Sequence, residues 1–189
     1  MVSVSLAAAE LGELGTLSKL PPEPGLRGAV TLLTRLVRGR GFLDEYVLPL
    51  LREAEEADEW YVARSCEGEE GSYSLQVFVW PPQTRTQIHD HSSWGAYCCV
   101  VGSVLEVRYE RLDDGSRLDY ARLKKVWRLS WSPEDGASTV LPGDGGIHRV
   151  GNPGAETAIS VHLYGPRLGE VDGHDYDPSR DHVCDRVDA

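Results

Sequence analysis

Ile88-His89-Asp90-His91 decides how this chain is read. In an extended strand, residues i and i+2 project from the same face, so His89 and His91 stand side by side while Asp90 turns away. Two adjacent imidazoles make half of a metal site. A third, His148, ends the stretch Pro142-Gly143-Asp144-Gly145-Gly146-Ile147-His148, where the glycines let the backbone turn tightly into a following strand. Imidazole nitrogen suits Fe, Zn, Cu and Ni, and three protein ligands leave coordination positions open for a substrate. An isolated HxH is most often a packed or surface pair. A third histidine with its own glycine turn tips the reading to a metal site formed by His89, His91 and His148.

Outward from this motif the apolar spacing has period two. Leu75, Val77 and Val79 alternate with Gln76, Phe78 and Trp80, and Leu105, Val107 and Tyr109 alternate with Glu106, Arg108 and Glu110. Val126 to Trp131 and Thr157 to Tyr164 alternate too, while Gly102-Ser103 and Asp113-Asp114-Gly115 read as turns between strands. This pattern predicts a small antiparallel barrel or double-sheet roll. Up to about residue 57 the spacing is instead helical: Leu11, Leu14 and Leu17, then Val30, Leu33 and Val37, then Leu43, Val47, Leu50 and Leu51. Pro21, Pro22, Pro24 and Gly25 separate the first two segments, Gly39 and Gly41 the next, and Pro49 should kink or end the third. The expected organisation is one mainly β domain: a helical cap over 1–57, a β-barrel over 58–166 and an acidic C-terminal tail over 167–189.

The 189 residues are 41% hydrophobic and 26% charged, as in globular proteins. Nineteen Lys and Arg against 30 Asp and Glu give a net charge of −11, which repels phosphate backbones and anionic lipid; nucleic-acid and membrane partners are therefore not expected. That charge is localised. Residues 53–70 carry a net −7 and residues 170–189 a net −5, leaving the remainder close to neutral. No apolar run approaches the ~20 residues of a membrane helix. The first residues lack a basic region and hold Glu10 and Glu13 where a signal peptide is apolar. Cys66, Cys98, Cys99 and Cys184 form neither a CxxC pair nor a disulfide framework, so reduced thiols in a cytoplasmic protein are expected. A monomer or weak homo-oligomer is the expected state.

The HDH pair followed by Gly102, and GDGGIHRVGN around His148, resemble the two metal-binding motifs of the cupin superfamily. The strand Ala158-Ile159-Ser160-Val161-His162-Leu163-Tyr164, with Ser-x-His-x-Tyr, and the HRV at the third histidine are similar to the cysteine dioxygenase family of thiol dioxygenases. The resemblance runs from about Trp60 to Pro166. It implies a cupin barrel (a double-stranded β-helix or jelly roll) holding Fe(II) on three neutral histidines and using O2 to oxidise a small thiol carboxylate to a sulfinic acid. L-Cysteine giving cysteine sulfinate is the first expectation, with 3-mercaptopropionate as the alternative. Trp94-Gly95 looks like the relatives that oxidise 3-mercaptopropionate, yet Gly169 to His174 lacks the arginine those relatives use.

Period two independently puts Ser160, His162 and Tyr164 on one face, with Ile159, Val161 and Leu163 on the other. A polar row facing inward must satisfy its own hydrogen bonds, so a chain from serine to imidazole to phenol is expected, with Tyr164 aimed at the open metal positions. The family holds the substrate carboxylate with an arginine upstream of HxH; Arg64, in Tyr61-Val62-Ala63-Arg64, lies at a matching distance, with Arg149 and Arg167 as alternatives. Animal members crosslink a cysteine to the tyrosine. That position is Gly95 here, so no crosslink is expected, and Cys98 and Cys99 are read as small apolar residues. Two rivals remain. One is a non-catalytic metal-binding cupin sensor; the other is a zinc hydrolase or isomerase, which would need an inward carboxylate base where none is evident. His174, His182 and Cys184 are read as part of a solvated tail, and Trp127 and Trp131 as barrel packing.

Overall fold

The computed structural model describes residues 2–53, 57–167 and 172–185. The N-terminal helices follow from the sequence punctuation. Helix α1 spans Ala8–Leu17 and α2 spans Pro22–Arg38; α2 opens with a proline whose missing N–H is no loss at that position. Leu32, Leu33 and Leu36 of α2, with Ala29, share one buried cluster with Leu75, Val77, Val79, Ile159, Val161 and Leu163 of the strands below. Burying each such aliphatic side chain contributes about 1.5–3 kcal/mol. A short helix, α3 (Arg40–Phe42), runs into a π-turn over Leu43–Val47, and α4 (Leu50–Glu53) restarts after Pro49, which interrupts this segment as expected.

Twelve strands follow the chain: β1 (Val2–Ser3), β2 (Tyr61–Glu67), β3 (Ser74–Trp80), β4 (Ile88–His89), β5 (Gly95–Val101), β6 (Val104–Arg111), β7 (Leu123–Trp131), β8 (Ala137–Val140), β9 (His148–Gly151), β10 (Ala158–Tyr164), β11 (His174–Asp177) and β12 (His182–Asp185). They form two six-stranded sheets, ordered β1-β2-β3-β10-β5-β8 and β12-β11-β4-β9-β6-β7. All pairings between strands are antiparallel except β1 with β2. The inner faces meet: Phe78 and Trp80 of β3 share a buried cluster with Val104 and Val150 of β6 and β9. The first sheet is thus covered by helices on one face and by the second sheet on the other. That explains why every residue of β10 but the last is buried. Gly102 (φ 68°) makes the turn between β5 and β6 and Gly115 (φ 69°) the one before β7, both in the left-handed region that glycine reaches without strain.

Two expectations are corrected. The stretch 167–189 is not a solvated tail in its described part: β11 pairs with β4, the strand that carries His89, and β12 pairs with β11. Tyr176 and Val183 are buried there with Ile88 and Ile147, so the second sheet continues beyond residue 166. Trp127 is 37% exposed on the edge strand β7, beneath the Arg108 guanidinium, rather than packed inside. No helix among the described residues is long and apolar enough to cross a membrane.

Candidate active site

His89 and His148 are register partners on β4 and β9. His91 lies just beyond β4, where its carbonyl accepts from the Gly143 N–H at 2.9 Å and so ties it to the turn leading into β9. A Cβ on Gly146 in that turn would overlap the Leu141 carbonyl, so only glycine allows this approach. The three histidines are buried, and one ligand nitrogen from each lies within 4.8 Å of the others. Hydrogen bonding selects those nitrogens. His89 Nδ1 donates to the Gln87 carbonyl (3.0 Å) and His148 Nδ1 donates to Glu106 (3.0 Å), which leaves Nε2 lone pairs to converge; His91 Nε2 and His148 Nε2 are 3.2 Å apart. Converging imidazole lone pairs of this kind are the donor set that a borderline divalent metal takes.

The facing wall comes from β10. Ser160, His162 and Tyr164 point inward, as period two requires, and form a continuous chain: Ser160 Oγ to His162 Nε2 is 2.7 Å and His162 Nδ1 to Tyr164 Oη is 2.9 Å. Trp80 Nε1–H donates to Ser160 Oγ at 2.7 Å. An indole nitrogen can only donate, and Ser160 is fully buried, so the serine proton goes to His162 Nε2 and His162 donates from Nδ1 to the phenol oxygen. His162 is held between Phe78 (ring centroids 4.3 Å) and Tyr97 (4.8 Å). Burial, reinforced by nearby His148, lowers its pKa to about 3, so it stays neutral. The Tyr164 ring lies 5.0 Å from that of His91.

A residue that the sequence left unmarked stands behind the histidine cluster. Glu106 has no exposed side-chain surface, and its carboxylate accepts from His148 Nδ1, Arg108 Nε (2.9 Å), Ser138 Oγ (2.8 Å) and Trp131 Nε1 (3.2 Å). Burial alone would raise its pKa, but the hydrogen bonds and charges of His148 and Arg108 prevail and hold it at about 2. An inward carboxylate therefore exists, but its oxygens are committed to these donors and it faces His148 Nδ1, on the side of the ring away from the other two histidines. The alternation of β6 gave the only sequence signal, and a polar face reads the same whether it meets solvent or a buried network. Asp90 turns from the histidines as expected but is also buried. It accepts from the Tyr176 hydroxyl at 2.6 Å and from the His174 N–H at 2.7 Å, fastening β11 to the strand that carries His89. Burial and this carboxylate push the Tyr176 phenol well up, so it remains a donor.

A cavity of about 310 Å³ opens onto His91 and Tyr164. Its walls include Glu67, Ser74, Gln76 and Phe78 on one side and Arg167 and Asp172 on the other. Arg64 is not among them. A β-bulge between Val62 and Arg64 leaves Ala63 unpaired and sets Arg64 opposite Val77, whose side chain packs against the helices. One extra residue flips the alternation, so Arg64 lands on the outer face where uninterrupted pairing would have turned it inward. Arg149 lies on β9 away from this cavity, leaving Arg167 as the arginine that lines it among the described residues. Gly95 is the register partner of Tyr164, and a Cβ there would sit 2.9 Å from two ring carbons. Cys98 and Cys99 face opposite sides, in the helix-side and interior clusters, and burial raises both thiols to about 11.

A family model for cysteine dioxygenase type I matches residues 58–177. Among solved structures, TT1209 from Thermus thermophilus is 19% identical with a TM-score of 0.38, over 55% of this chain and 82% of that one. The Schizosaccharomyces pombe Cnp3 cupin domain is 17% identical with a TM-score of 0.41, over 57% and 61%. A cupin 2 conserved barrel domain protein from Salinispora arenicola is 16% identical with a TM-score of 0.38, over 56% and 72%.

Proposed function

The chain belongs to the cysteine dioxygenase type I family and has a mainly β cupin fold, and from that premise we propose that it is an Fe(II)-dependent thiol dioxygenase. The observation that carries the reading is the hydrogen-bonded chain Ser160–His162–Tyr164 ending beside the three converging histidines. A sensor needs no such directed chain against its metal, and a hydrolase would need a carboxylate free to act as base, whereas Glu106 is committed. The reaction is RSH + O2 giving RSO2H: sulfur loses four electrons, O2 gains four, and no other reductant is required.

His89, His91 and His148 would hold the iron, which supplies the redox centre where thiolate and O2 react. Three neutral ligands leave the metal its full charge, which suits a substrate arriving as a thiolate. Phe78 and the aromatic packing around His162 keep water from the inner face. His162, donating to the phenol oxygen, turns the Tyr164 proton away from itself towards the cavity side, where it can hydrogen-bond to the reacting oxygen or sulfur. Arg167 replaces Arg64 as the group that meets a substrate carboxylate. L-Cysteine leads 3-mercaptopropionate as substrate, because the cavity wall carries both signs of charge and so accommodates a zwitterion. Four unpaired cysteines suit a reducing, cytoplasmic setting, with small thiol and O2 as the partners.

The test is oxygen consumption by iron-loaded protein against a panel of thiols, compared with the zinc-loaded form. Uptake with at least one thiol, in the iron form alone, is expected. Uptake with none of them would refute the enzyme reading.

A further inference from the structure

Tyr97 is 2% exposed and does not line the cavity, so it is set back from any thiol bound there. It nevertheless touches both halves of the site. On β5 it pairs with His162 of β10 on one side and with Ser138 of β8 on the other. Its ring stacks on the His162 imidazole, with centroids 4.8 Å apart and planes 16° apart. At its far end the hydroxyl lies 3.3 Å from His148 Nδ1. That nitrogen already gives its proton to Glu106, so the phenol proton goes to the same carboxylate. Glu106 thus anchors two branches, one directly to His148 and the other through Tyr97 to His162 and on to Tyr164.

His162 has to keep both ring nitrogens in line, Nε2 with Ser160 at 2.7 Å and Nδ1 with Tyr164 at 2.9 Å. Turning the imidazole plane would bend both bonds, and hydrogen bonds weaken steeply as they bend. Phe78 meets the imidazole at 41°, whereas Tyr97 lies nearly parallel to it and is itself fastened at the hydroxyl. We infer that Tyr97 is a positioning residue, which fixes the Tyr164 hydroxyl relative to the three histidines by holding the His162 plane against a carboxylate shared with His148. The consequence for catalysis rests on the thiol dioxygenase reading, whereas the placement of His162 does not.

The experiment uses Tyr97→Phe, which keeps the ring and removes its anchor. His148, Arg108, Ser138 and Trp131 still donate to Glu106, so no buried group is orphaned and the variant should fold. With iron-loaded protein and L-cysteine or 3-mercaptopropionate, kcat is expected to fall about tenfold, with KM within about twofold and metal affinity within about threefold of the native values. In the Tyr164→Phe background the same change should cost less than about twofold, because a residue acting through that hydroxyl has nothing left to place. An equal loss in both backgrounds, or no loss in either, would overturn the inference. A second readout needs neither iron nor turnover. In metal-free protein labelled with 15N-histidine, the His162 Nδ1–H should exchange with water about tenfold faster in Tyr97→Phe than in the native protein. Faster exchange in a protein that oxidises no thiol would uphold the placement and refute the dioxygenase reading. Unchanged exchange would refute the placement whatever the thiol chemistry.

Discussion

Position 95 shows how one missing side chain sets the site. The Tyr164 ring occupies the space that a Cβ at Gly95 would need, 2.9 Å from Cδ1 and Cε1. Gly95→Ala should therefore displace the phenol, at a cost of about 1–3 kcal/mol in stability, and lower kcat while leaving metal affinity within a fewfold range. Steady-state kinetics beside a metal-competition titration check this. Tyr164→Phe keeps the ring and loses the hydroxyl; it should retain metal and fold but lose about 100-fold in kcat. Loss of metal instead would mean that Tyr164 has a different role. Glu106 acts through His148, holding its Nδ1 so that Nε2 faces the other histidines. Glu106→Gln removes the negative charge while keeping an acceptor, so metal affinity should fall by about 10–100-fold in a competition titration. His89, His91, Ser160, His162 and Tyr164 were readable because spacing of two in a strand has a single geometric meaning. Glu106 was hidden because its burial depends on Ser138, about thirty residues away on the other sheet.

Among the elements, β11 has the most unexpected position. His174-Asp175-Tyr176-Asp177 is acidic and looks solvated, yet Tyr176 is buried and its hydroxyl fastens to Asp90 between the two histidines of HxH. Tyr176→Phe removes that 2.6 Å donor from a buried carboxylate and should cost about 1–3 kcal/mol, with a measurable drop in metal affinity, read by thermal melting and by the same titration. If stability and metal affinity are both unchanged, β11 is not a support for the site. The β11–β12 pair was missed because Tyr176 in one strand and Val183 in the other carry its apolar signal amid charged neighbours. Arg64 was misplaced for a related reason: the bulge at Ala63 has no glycine to announce it, and one skipped residue reverses every side chain beyond it. By contrast β3, β6 and β10 appear where their alternation put them, while β7 begins at Leu123, three residues before the expected Val126, with a bulge at that residue.

Over the whole molecule, the buried polar groups tie stability to pH. His162 has a folded pKa of about 3 against 6.5 in an open chain, so between these values the unfolded chain binds a proton that the folded one refuses. Stability is complete above 6.5 and is lost as pH falls towards 3, by at most about 1.4 kcal/mol per pH unit for one proton. Glu106, lowered from 4.5 to about 2, adds a loss of the same sign further down. Urea unfolding of metal-free protein at a series of pH values should show this decline, and His162→Gln should flatten it between pH 6.5 and 5; an unchanged slope would contradict a buried neutral His162. Charge is arranged to match: one acidic stretch ends in the Glu67 and Glu70 wall of the cavity, while the strands that carry the histidines stay near neutral. The central claim is that both atoms of one O2 enter the sulfur of a thiol at this site. It is tested most directly by incubating iron-loaded protein with L-cysteine and with 3-mercaptopropionate under 18O2 and weighing the products. The expected product is a sulfinic acid carrying two labelled oxygens, formed with one O2 consumed per thiol; disulfide alone, or a sulfinate with one label or none, would contradict it.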